Sequence, residues 1–328
     1  MTTTSLTMAK ALNAGLRKAL ENDPKVLLMG EDIGKLGGVF RITDGLQKDF
    51  GADRVIDSPL AESAIVGTAV GLAIRGYRPV CEIQFDGFVY PAFDQIVSQV
   101  AKLRSRTEGV YRMGIVIRLP FAGGIGAVEH HSESPEAYFA HTAGLRVVSC
   151  STPHDAYWMI QEAIAHDDPI IFCEPKCRYW EKGDVDLDNP GRGLFEANRV
   201  REGSDVTVVA WGPSVKTTLR AAEVAATEGR SVEVIDARSV APLDLAPLVA
   251  SVKKTGRLIV VHEAPPTASM GADIIRRLSE ECFYSLRAPG LQVSGYHTPY
   301  PPARIEDAFR PSVDRILDAI DRSMDYGL

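Results

Sequence analysis

Three stretches combine residue types that do chemistry. In "SPLAESAIVGTAVGLAIRG", residues 58–76, one carboxylate, Glu62, stands at the mouth of an otherwise apolar, glycine-punctuated helix. No cation follows it within a turn or two. The helix macrodipole alone favours a carboxylate there by about 0.3–1 kcal/mol. The residues after it (Ala64, Ile65, Val66, Ala69, Val70, Leu72, Ala73, Ile74) are apolar on nearly every side, so the helix is expected to be buried. A buried carboxylate without a cation is either protonated or bonded to a ligand.

In the second stretch, "FAGGIGAVEHHSESPEAYF", Gly123, Gly124 and Gly126 form a flexible loop before Glu129, His130 and His131. It is neither a Walker loop, since no Gly-Lys-Ser/Thr follows, nor a GxGxxG turn. Adjacent histidines point in different directions and rarely share a metal, and His141 adds little. One histidine as a proton-transfer group is the better functional reading; two surface histidines in a mobile loop are the alternative. Ser132 or Ser134 is expected to cap the helix that follows. The third stretch, "EIQFDGFVYPAFDQI", gathers Phe85, Phe88, Tyr90 and Phe93 where a strand runs into a helix. Such clusters pack cores. At the carboxyl end of a strand in an open α/β sheet they also stack on flat heterocycles.

These stretches sit in a chain that alternates strand and helix from end to end. "KVLLMG", "PVCEIQF", "GIVIRLP", "LRVVSC" and "PIIFCEP" read as buried strands separated by helix-length segments, which implies a parallel sheet covered on both faces. The first helix has Ser5 as a possible cap, and "YPAFDQIVSQVAKLRSR" reads as one helix. Near residue 180 the texture becomes polar and rich in Gly, Pro and Asp, then a second strand–helix series begins. The expected division is therefore an α/β domain over 1–181, a linker over 182–194 and a second α/β domain over 195–328.

Composition sets the outer bounds. With 328 residues and a net charge of -7, the chain gives no electrostatic reason to expect nucleic acid or an anionic membrane as partner. No stretch reaches the roughly 20 apolar residues of a membrane span. No signal peptide is apparent at the N-terminus. Five scattered cysteines fit a reducing compartment, and Cys173 and Cys177 of "CEPKC" lack a second pair for a metal site. The expected setting is a bacterial cytoplasm.

The stretches "DSPLAESAIVGTAVGLAIRGYRPVCEIQFDGFVYPAFDQI", "EHHSESPEAYFAHTAGLRVVSCSTPHDAYW" and "GYHTPYPPAR" together resemble the beta subunit of thiamine-diphosphate-dependent 2-oxo acid dehydrogenases. The resemblance runs from "GED" at residues 30–32 to the C-terminal helix, and its texture is closer to branched-chain than to mammalian pyruvate members. It implies a transketolase-like pyrimidine-binding domain followed by a transketolase C-terminal domain. It implies an alpha2-beta2 heterotetramer that decarboxylates a small 2-oxo acid of branched-chain type and acylates lipoyl groups of an acyltransferase core, with a pyruvate or acetoin dehydrogenase beta subunit as the alternative. A non-catalytic scaffold is the alternative of another class.

By the same resemblance, Glu62 hydrogen-bonds a ring nitrogen of the cofactor's aminopyrimidine, which favours the tautomer that activates the thiazolium carbon. Phe88, where many branched-chain members have tyrosine, and Phe85 are the other cofactor-binding residues. His131 matches the histidine near the substrate and the incoming lipoyl group. A possible K+ would rest on backbone carbonyls of Ile115, Ala163, Ile164, His166 and Asp168. The chain lacks the GDG motif and later asparagine pair that hold Mg2+ and diphosphate, so the Mg2+ is expected on the alpha subunit. His297 stands where the family has aspartate. Glu306, Asp307, Asp314, Asp318 and Asp321 are expected to offer acidic groups to the acyltransferase's subunit-binding domain.

Overall fold

The structure, a computed structural model, describes residues 3–326, so the first two positions of the expected first domain and the last two of the expected second lie outside the described residues. Among the described residues fourteen strands follow in chain order. They are β1 Thr3–Thr7, β2 Val26–Gly30, β3 Val55–Asp57, β4 Arg78–Glu82, β5 Val116–Phe121, β6 Arg146–Ser149, β7 Ile170–Pro175 and β8 Lys182–Asp186. The later ones are β9 Asn198–Arg201, β10 Val206–Ala210, β11 Val232–Asp236, β12 Ser239–Ala241, β13 Leu258–Val261 and β14 Leu291–Val293.

Two large sheets result. The first runs β12-β6-β7-β5-β4-β2-β3 and the second β14-β13-β10-β11-β9. Every pairing in them is parallel except β12 with β6 and β9 with β11. Alternate residues of the first sheet feed two cores, as strand geometry demands. Leu28, Val80, Val116, Val148 and Phe172 face the helices Met8–Asn22 and Pro153–Ala165. Met29, Cys81, Ile117, Val147 and Ile171 face the other way, into a core continuous with Val209, Ile235 and Val260 of the second sheet. The two sheets thus share one apolar interior, which fixes the relation between the stretches singled out above.

Several expectations need correction. Residues 182–194 are not structureless: β8 lies there and pairs antiparallel with β1, because Thr3–Thr7 offers it an extended edge. Ser5 lies in β1, and Thr7 caps the first helix by accepting the Lys10 N–H. The stretch 90–106 is broken into a 3-10 segment, Asp86–Ala92, a π segment, Gln95–Val100, and a short helix, Leu103–Arg106. Pro91 within the 3-10 segment cannot donate a backbone hydrogen bond, which accounts for the first break. Neither Ser132 nor Ser134 caps Glu136–Ala140, whose N-cap is Pro135. All five cysteines are free, with Cys173 buried and Cys177 partly so. Among the described residues no helix is long and apolar enough to cross a membrane.

A candidate cofactor site at the first sheet's carboxyl edge

Glu62 opens the helix Glu62–Ile74 and is itself buried, at 8% exposure. The helix is not buried all round, as its composition suggested. Ile65, Val66, Ala69 and Ala73 face the core, while Ala64, Gly67, Thr68, Gly71 and Ile74 are exposed. Small apolar residues therefore form a face without cover on this chain. No hydrogen bond or ion pair to a described residue holds the Glu62 carboxylate. Its acceptor positions are free.

A second carboxylate stands close by. Glu31 follows the end of β2, and Asp32 after it adopts the left-handed region at φ 57°. Glu31 Oε1 is buried with no described partner. Burial first, then the neighbouring charges of Glu62 and Asp32, raise the Glu31 carboxyl above its ordinary range. An orphaned carboxylate oxygen beside a partnerless carboxylate is what a site looks like when it awaits a donor-bearing ligand. Glu31 was not among the residues singled out from the sequence. Its signal was there, an acid at the carboxyl end of a parallel strand, where ligands of open α/β sheets lie.

The aromatic stretch packs against the Glu62 helix through the turn Asp86–Ala92. Phe85 and Phe88 meet at 6.0 Å edge to face, and both meet the His131 ring, at 4.1 and 5.0 Å. The structure thus brings Phe85 and Phe88 of one stretch together with His131 of another. His131 Nδ1 is buried without a described partner. Desolvation, then the neighbouring His130, lowers the His131 pKa below its ordinary 6.5, so the ring is neutral at pH 7. His130 is more exposed, near Glu129 at 3.6 Å, and its ring stands 79° from that of His131. The two rings do point apart. Gly87 permits this contact, because a Cβ there would lie 2.6 Å from His130 Cβ.

Beneath the loop lies an ion pair that sequence reasoning missed. Lys176 Nζ donates to Asp86 Oδ1 at 2.6 Å, and Asp86 Oδ2 accepts the Glu133 N–H at 2.7 Å. Burial raises the Asp86 carboxyl and lowers the Lys176 ammonium, each partly offset by the other. Further along, Glu136 accepts from Trp211 Nε1 at 3.3 Å, and burial pushes its carboxyl up to about 8. Trp211 in turn stacks on His262, at 5.2 Å and 11°.

Of the backbone carbonyls expected to ligate a monovalent cation, four already accept hydrogen bonds. The carbonyls of Ile164 and His166 accept from Arg78 Nη1 at 3.1 and 3.0 Å. Those of Ile115 and Ala163 accept from the Ile170 and His166 N–H groups. The Asp168 carboxylate takes Arg104 and Arg146. As arranged, the two convergent oxygens serve a protein cation. Among the described residues no cluster of His, Cys, Asp and Glu could hold a metal ion. Of the acids expected to meet a partner, Glu306 is buried and bonded within the chain, Asp321 pairs with Arg230, and Asp307 is fully exposed. His297 lines an apolar groove of about 580 Å³ with Phe93, Tyr138 and Pro265.

Comparison with known proteins adds relatives to this geometry. Residues 4–180 match the family described as "Transketolase, pyrimidine binding domain", and residues 196–316 match "Transketolase, C-terminal domain". A "Pyruvate dehydrogenase E1 component subunit beta" from Leifsonia xyli is 62% identical over 323 residues, covering 98% of this chain and 96% of that one. A "3-methyl-2-oxobutanoate dehydrogenase subunit beta" from Mycobacterium tuberculosis is 53% identical over 321 residues, covering 98% and 92%. Among solved structures, a "Split gene transketolase, inactive beta4 tetramer" superposes with a TM-score of 0.80 at 19% identity, covering 98% and 99%.

Proposed function

The chain belongs to the transketolase-like beta subunits of 2-oxo acid dehydrogenase E1 components, a thiamine-diphosphate-dependent family, and from that premise we propose that it supplies half of a cofactor site. With an alpha subunit, in an alpha2-beta2 assembly, it oxidatively decarboxylates a branched-chain 2-oxo acid and acylates lipoyl groups of an acyltransferase core. The observation that carries this reading is Glu62, shielded, without a partner among the described residues, and packed beside the turn that presents Phe85 and Phe88 to His131.

When bound, thiamine diphosphate would supply the nucleophile for the 2-oxo carbon and the electron sink for loss of carbon dioxide. This chain's residues do the rest of their half. Glu62 would hydrogen-bond a ring nitrogen of the bound aminopyrimidine and hold the proton shared between them. Its apolar setting strengthens the bond by excluding water. Phe88 and Phe85 wall the site and keep it dry. Phe88 has no hydroxyl, so it contributes contact area alone. His131, neutral at pH 7, takes up or returns a proton at the reacting groups during transfer to the lipoyl disulfide. Mg2+ and the diphosphate fall to the alpha subunit. A potassium ion on the Ile164 and His166 carbonyls would have to share them with Arg78, and the chemistry proposed does not call on it.

A second reading, pyruvate as substrate, is favoured by the name of the 62% identical Leifsonia relative. The test is to co-express the chain with its alpha subunit and measure decarboxylation of 3-methyl-2-oxobutanoate and pyruvate, and oxidative cleavage of acetoin. The highest kcat/KM on 3-methyl-2-oxobutanoate supports the branched-chain reading, and preference for pyruvate supports the second. Turnover of none of them contradicts an enzymatic role.

A further inference from the structure

The glycine loop before His131 looks like an anion cradle, yet its N–H groups are already occupied by the chain's own carboxylates. Gly123 N–H donates to Glu263 Oε2 at 3.0 Å, and Gly124 and Gly126 N–H donate to the two oxygens of Glu306 at 3.2 and 3.0 Å. Both acids are buried and lie in the second half of the sequence. Each has its own support: the Tyr300 hydroxyl donates to Glu306 Oε2 at 3.0 Å, and Arg310 Nε donates to Glu263 Oε1 at 3.0 Å. The surfaces interlock closely. A Cβ on Gly123 would strike the Tyr300 hydroxyl, and one on Gly124, at φ +92°, would lie 2.6 Å from Arg310 Nη1.

The far end of the loop is fixed as well. The Ala122 N–H donates to the Glu133 carbonyl at 2.8 Å, closing the loop on itself, and Asp86 accepts the Glu133 N–H. His131 lies between these two anchors. We propose that Glu306 and Glu263, backed by Tyr300 and Arg310, form a clasp through which the second half of the chain positions His131. They are positioning residues, and the claim rests on the role of His131 given above. Glycines are required here for close approach to the clasp, and the charge-assisted bonds satisfy donors that a free loop would leave to water.

The test uses the assembled complex with Glu306→Gln and Tyr300→Phe. The amide of Glu306→Gln can accept one loop N–H, but its NH2 faces the other, so one donor is orphaned. Tyr300→Phe removes one hydroxyl and preserves the ring, and it carries the test should Glu306→Gln fail to fold. Hydrogen–deuterium exchange over residues 122–134 should quicken by about tenfold in either variant. Transfer to lipoyl groups should fall by about tenfold, since small misplacements of a reacting group are costly. In a His131→Ala background the same substitutions should cost nothing further, because the clasp acts through that ring. Unchanged exchange, or losses that multiply in the two backgrounds, would overturn the proposal. If the unaltered complex acylates no lipoyl group, the functional reading fails, and the exchange measurement still decides the clasp.

Discussion

Lys176 and Asp86 form an ion pair with both side chains fully buried, 2.6 Å apart, directly under the loop that carries His131. Taking two charges out of water is costly, and their attraction repays it only while both are present. Lys176→Met should therefore lose about 3–5 kcal/mol in urea unfolding. Adding Asp86→Asn should recover part of that loss, giving a coupling of about 0.5–3 kcal/mol. Strictly additive losses would show that the pair is not a unit.

The Glu62 carboxylate is free of partners among the described residues, so replacing it should disturb the fold little. Glu62→Gln should assemble with the alpha subunit and melt within a few degrees of the unaltered protein. Decarboxylation should slow by about 10²- to 10⁴-fold, the usual contribution of a positioned proton-transfer group. Near-normal turnover would remove Glu62 from the mechanism.

The neutral, half-buried His131 and the more exposed His130 should separate cleanly. His131→Ala is expected to impair lipoyl acylation more than decarboxylation read with an artificial electron acceptor. His130→Ala should be milder in both assays. A larger loss of lipoyl transfer from His130→Ala, or none from His131→Ala, contradicts the assignment.

Glu136 holds its proton to about 8 in the folded protein, against an ordinary 4.5. Between those values the folded state binds more protons than the unfolded one, so this group's contribution to stability is full below 4.5 and is lost as pH rises toward 8. The slope reaches about 1.4 kcal/mol per pH unit. Glu136→Gln carries no such proton and should gain on the unaltered protein as pH is raised from 5 to 8 in parallel urea titrations. Stability curves that stay parallel would show that Glu136 is not buried as a neutral acid.

The alternation of buried strands and helices was legible because runs such as "VLLMG" and "IIFCEP" are apolar but for Glu174 and end at glycine or proline. The approach of Phe85, Phe88 and His131 was foreseeable only through family resemblance, since two stretches far apart in the chain supply the rings. Strand β12 was not legible. A three-residue antiparallel addition to a distant sheet has no period of its own. The exposed face of Glu62–Ile74 misled for a physical reason: an apolar helix is buried only when its partner is present, and this chain leaves one face uncovered. Glu306 misled likewise, because a surface acid and one reaching back to Gly124 and Gly126 look alike in a sequence. The Asp86–Lys176 pair stayed hidden because its members lie on different strand ends.

The half-site is the central claim, and titration calorimetry of thiamine diphosphate with Mg2+ tests it most directly. Injected into this chain alone, the cofactor should give no tight binding, because Glu62, Phe85 and Phe88 offer one end of a site and no anchor for the diphosphate. Injected into the chain assembled with its alpha subunit, it should bind tightly and in an Mg2+-dependent manner, and Glu62→Gln should weaken that binding. Tight, Mg2+-dependent binding to the isolated chain would contradict the account.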